Sequence, residues 1–70
     1  MGRRVLRQRR RFTVVVALKT GAVFRGVLYD SDAQCLVLRR TELLTADAPA
    51  APVDGELIIL LADVETVQRV

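Results

Sequence analysis

Val16-Ala17-Leu18-Lys19-Thr20-Gly21-Ala22-Val23-Phe24-Arg25-Gly26-Val27-Leu28-Tyr29-Asp30-Ser31-Asp32 is the stretch that decides the fold. Apolar residues recur here with a period of two, the pattern of a half-buried strand. Upstream, Phe12, Val14, Val16 and Leu18 share one face, and Thr13, Val15, Ala17 and Lys19 share the other. β-branched residues dominate and suit a pleated surface. Thr20-Gly21 is a tight turn. A second strand runs from Ala22 to Tyr29, and Gly26 inside it marks a bend or a close backbone approach. Asp30-Ser31-Asp32 is the next turn. Tyr29 reads as an aromatic on the outer surface.

Working outward, a third strand is expected over 33–40, with Leu36 and Leu38 on one face. Residues 45–54, rich in Ala and Pro, read as a loop. Asp54-Gly55 leads into a fourth strand over 56–61, and a fifth runs over 64–70. Short strands at this spacing predict one mostly-β domain, a small five-stranded antiparallel barrel.

The chain has 70 residues, about half of them hydrophobic. That is one small domain, too apolar to be disordered. No apolar stretch approaches the roughly 18 residues of a spanning helix. A cytoplasmic location is expected. Met1-Gly2 opens like a myristoylation site, but Leu6 stands where Ser or Thr is needed.

The chemistry is narrowed by what is missing. There is no histidine, one cysteine (Cys35) and one serine (Ser31). Neither nucleophile has an imidazole to activate it, and no thiolate cluster can hold zinc. The expectation is no enzyme, no cofactor and no metal. Gly21 and Gly26 have the glycine spacing of a phosphate loop, but Val27-Leu28 replace the Lys and Ser/Thr. Asp30-x-Asp32-x-Gln34 opens like a calcium loop, but Cys35 and Thr41 occupy the Gly and Glu positions.

Charge is unevenly placed. Residues 1–11 carry six arginines (Arg3, Arg4, Arg7, Arg9, Arg10 and Arg11) and no acid, while the remainder is net −3. A clustered charge makes a local field. Arginine's planar fork suits phosphate oxygens. The arm has no aromatic residue, so its expected contact is with RNA or DNA backbone. An anionic protein neighbour and a plain solvated tail remain as alternatives. No Pro or Gly interrupts 3–11, so a short helix is expected there.

Leu57-Ile58-Ile59-Leu60-Leu61 is apolar on both faces. An exposed strand of that kind invites pairing with another chain. Together with Val64 and Val67 it is the expected subunit interface.

A longer pattern connects these pieces. Val16-x-Leu18-x-x-Gly21-x-x-Phe24-x-Gly26-x-Leu28-x-x-x-Asp32, followed by Leu36-x-Leu38, resembles the first motif of the Sm and Sm-like family. Gly55-x-Leu57-Ile58-Ile59 and Asp63-Val64-x-x-Val67 resemble the second. The resemblance covers about residues 12–68. It implies a short N-terminal helix (1–11), a strongly bent barrel (12–70), and a homo-oligomeric ring of about five to seven subunits. In such a ring the fourth strand of one subunit pairs with the fifth of the next.

The family's uridine-binding members use an Asn soon after the Asp, and an Arg-Gly pair in the second motif. Here Asp32 is kept, Cys35 falls near the Asn position with Gln34 beside it, and Leu60-Leu61 replaces Arg-Gly. Asp32, Gln34 and Cys35 are therefore the pocket positions, without the usual uridine-specific set. Compact Ala- and Arg-rich chains of this style also resemble Sm-like chains of actinobacterial phages. Two functions stay open: a ring that binds nucleic-acid backbone through its arms, and a structural ring inside a larger assembly such as a phage particle.

Overall fold

The computed structural model describes residues 11–70. The helix expected over 3–11 therefore lies, except for Arg11, outside the described residues. Six strands form one antiparallel sheet: β1 (Phe12–Leu18), β2 (Val23–Ser31), β3 (Cys35–Thr45), β4 (Ala48–Val53), β5 (Leu57–Leu60) and β6 (Val64–Arg69). The order is β4-β3-β2-β1-β6, and β5 also pairs with β3. A single 3-10 turn, Leu61–Asp63, joins β5 to β6.

The expected alternation holds in β1. Val14 and Val16 are buried, and Phe12 and Leu18 pack against them. The core is completed by Leu36 and Leu38 from β3 and Ile59 from β5. Burying side chains of this size contributes about 1.5–3 kcal/mol each. Because β1, β3 and β5 all feed one cluster, the sheet must curl over on itself.

Gly26 sits where it curls. The β2–β3 register slips between Arg25↔Glu42 and Val27↔Arg39, so two residues of β3 oppose Gly26 alone. One of them, Arg40, has φ +54°, the left-handed region that most residues avoid. This bulge bends the longest strand and lets it serve two partners in succession. Cys35–Leu38 pair with β5, and Thr41–Thr45 pair with β4. The β1–β2 turn is closed by the Gly21 amide donating to the Leu18 carbonyl at 2.9 Å, with Gly21 at φ +102°.

One expectation is corrected. Residues 45–54 are not a loop: β3 runs on to Thr45, and Ala48–Val53 returns as β4 after the two-residue turn Ala46-Asp47. Ala and Pro weaken the strand signal, since alanine has little β preference and Pro49 and Pro52 lack an N–H. An edge strand tolerates both, and β4 is an edge exposed at every position except Val53. Prolines also blunt that edge against further pairing. β4 and β5 both lie along the side of β3 away from β2, so the sheet has six strands where five were expected.

Candidate nucleic-acid and assembly surfaces

The first candidate site is the β2–β3 turn. Asp32 Oδ1 accepts from the amides of Gln34 at 2.7 Å and Cys35 at 2.9 Å. Those two bonds hold the Asp32 carboxyl below the usual carboxylate range. The turn is tied to the far end of β5 by the Leu61 amide, which donates to the Gln34 carbonyl at 2.8 Å. Asp32, Gln34 and Cys35 thus lie together, beside Leu60-Leu61. What they offer a ligand is limited. The Asp32 oxygen is spent on the turn, Gln34 is exposed, and Cys35 is half-buried. Burial pushes the Cys35 thiol up, and the Asp32 charge adds to it, so it is not an activated nucleophile. Cys35→Ser should change the melting temperature by no more than a few degrees and leave any nucleic-acid binding intact, checked by thermal denaturation and a binding isotherm.

The second candidate is the pair of strand edges. Among the described residues β5 pairs only with β3, and β6 only with β1, so each has an open side there. Ile58 is 61% exposed and Leu60 55%. Val67 is 46% exposed although its register with Val16 turns it toward the core side. Val67 is open because nothing covers β6 on its far side. The seven expected interface residues therefore divide. Ile58, Leu60 and Val67 are exposed, Ile59 is buried, and Leu57, Leu61 and Val64 pack on the core. Within the single chain the Ile59 side chain points into the core, since one face of a strand must fill it.

The third candidate begins at Arg11; Arg3, Arg4, Arg7, Arg9 and Arg10 lie outside the described residues. The β1–β2 register Phe12↔Leu28, carried one step further, sets Arg11 opposite Tyr29. The Arg11 guanidinium carbon lies 4.4 Å from the Tyr29 ring centroid, and that of Arg39 lies 4.3 Å from it. Arg39 is held in turn by Glu56, with Nε at 3.0 Å and Nη2 at 2.6 Å from one carboxylate oxygen. Beyond Arg39 a groove of about 520 Å³ is lined by Arg39, Arg40, Val53, Asp54, Gly55 and Glu56. This cluster was not expected from the sequence. The signal available was the hairpin register, which places residue 11 across from residue 29.

Among the described residues no cluster of three or more His, Cys, Asp or Glu could hold a metal, and no helix is long and apolar enough to cross a membrane.

No protein-family model and no curated protein matches the chain. Among solved structures it is similar to a heptameric archaeal Sm protein, with a TM-score of 0.76 at 23% identity over 84% of this chain and 85% of that one. At that similarity the chain has the Sm fold.

Proposed function

We propose that this protein is a non-enzymatic subunit of a homo-oligomeric ring that binds RNA or DNA backbone through its arginine arm, residues 1–11, with 12–70 as the ring-forming barrel. The observation that carries the ring is the treatment of the sheet's edges. The β4 edge is blunted by two prolines, whereas β5 and β6 are open and carry exposed Ile58, Leu60 and Val67. Joining β5 of one copy to β6 of the next satisfies both, and repetition of such a head-to-tail contact closes a ring. The similar archaeal protein is described as heptameric.

The arm supplies the affinity. Six arginines without an acid meet phosphate well, and several copies on one ring add avidity. Uridine-specific recognition in the β2–β3 turn is not part of this reading. The Asp32 carboxylate is engaged by two amides, and a neutral thiol and two leucines stand where the family places its amide and guanidinium donors.

Light scattering and a binding titration on the full chain and on a chain without residues 1–11 test this. A ring mass is expected for both, with RNA and duplex DNA bound only by the full chain. The logarithm of affinity should fall linearly with the logarithm of salt, at about 0.9 per phosphate contacted on duplex DNA. Equal affinity without the arm removes the arm from the function. A ring that ignores nucleic acid favours the second reading, a structural ring in a larger assembly such as a phage particle.

A further inference from the structure

The outer face of β2 and β3 carries more than the sequence suggested. β1 flanks β2 on one side and β3 flanks it on the other, so Arg11 and Arg39 approach Tyr29 from opposite sides. Cation–π contacts of this kind restrict side chains that otherwise sample many rotamers. Arg39 is further fixed by Glu56. Arg40 follows at once, exposed, with its backbone bent into the left-handed region. Arg11 is also the last residue of the arginine arm. Arg11 thus stands with Arg39 and Arg40 near Tyr29, in a group where Glu56 pairs with Arg39 and Asp54 lines the same groove.

We infer that nucleic-acid backbone bound by the arm continues across this outer face over Arg11, Arg39 and Arg40, and that Tyr29 is a positioning residue that holds Arg11 and Arg39 ready for successive phosphates. This rests on the arm reading above and adds the path of the strand. The gain is in ordering. Immobilising a long side chain on binding carries an entropic cost, and stacking on Tyr29 meets part of it for two arginines before the ligand arrives. Tyr29 contributes no charge. Its removal should therefore weaken binding without changing the number of phosphates neutralised.

The test uses the full-length protein and a fluorescein-labelled single-stranded oligothymidylate, titrated over a range of salt. Tyr29→Phe keeps the ring face and should bind as the parent does. Tyr29→Leu loses it and should bind about tenfold more weakly, with the salt slope and the light-scattering mass unchanged. Arg40→Gly removes one cation while relieving its left-handed backbone, and should lower the slope by about 0.7 per engaged subunit. A Leu variant as tight as the parent overturns the inference. A Phe variant as weak as the Leu variant also overturns it, because the hydroxyl rather than the ring face would then be responsible. An unchanged slope for Arg40→Gly takes the strand off this face. Failure of the arm reading is distinguishable: the parent then either does not bind the oligothymidylate or binds it equally well without residues 1–11.

Discussion

Gly26→Val is expected to unfold the domain. A Cβ at this position would lie 2.7 Å from Thr41 Oγ1, 3.2 Å from the Arg39 carbonyl oxygen and 3.2 Å from Thr41 Cα. Two of the three obstacles are backbone atoms, which cannot rotate away. Valine adds two methyl groups to that Cβ, in a strand whose partner is already bulged at this point. Overpacking commonly costs about 1–3 kcal/mol and more where the backbone must shift. A domain of this length stands on only about 4–10 kcal/mol. Circular dichroism should show loss of the cooperative thermal transition. A graded version separates the clash from general intolerance. Thr41 is 2% exposed and its hydroxyl has no hydrogen-bond partner, so Thr41→Ala removes the nearest obstacle. Gly26→Ala should destabilise less than valine, and Gly26→Ala with Thr41→Ala should cost less than the two changes added together. A normal melting curve for Gly26→Val would mean that the bend does not depend on backbone contact at this glycine.

The same glycine shows what the sequence could reveal. An isolated Gly in an alternating strand signals close backbone approach, and the approach is there, against Thr41. The alternation of β1 announced its buried face because Phe12, Val14, Val16 and Leu18 are all large and apolar, while the other face mixes Thr13, Ala17 and Lys19 with Val15. β4 was hidden because its residues were chosen for an edge. Alanine and proline carry no burial pattern where nothing is buried. The apolar run in β5 signalled two covered faces but not which residues belonged to which. That assignment depends on register with β3, where Leu36↔Ile59 joins two core residues and Val37↔Ile58 joins two outward ones. At the candidate sites, the Asp32 turn was legible as turn chemistry. The Arg11–Tyr29–Arg39 cluster was not, because it joins three strands across separations that no local pattern encodes.

The register of β5 also yields the sharpest test of assembly. Ile58→Asp with Leu60→Asp should convert the proposed ring into folded protomers. Both residues are more than half exposed in the single chain, so charging them costs the protomer little. Facing a neighbour's β6, each carboxylate would have to shed water beside apolar groups without a partner. A loss of about 3 kcal/mol at each contact weakens that contact more than a hundredfold, and a closed ring repeats the loss at every interface. Light scattering should report a mass near the 7.8 kDa of one chain, with the β-sheet dichroism retained. Ile59→Asp is the control that tells assembly from folding. Its side chain is 5% exposed inside the core, so the charge should abolish the fold itself rather than release a folded protomer. Ring mass retained in the Ile58/Leu60 variant would move the interface away from β5. Unfolding in both variants would mean that β5 needs its neighbour to stay in place, and the protomer would then have no stable existence outside the ring.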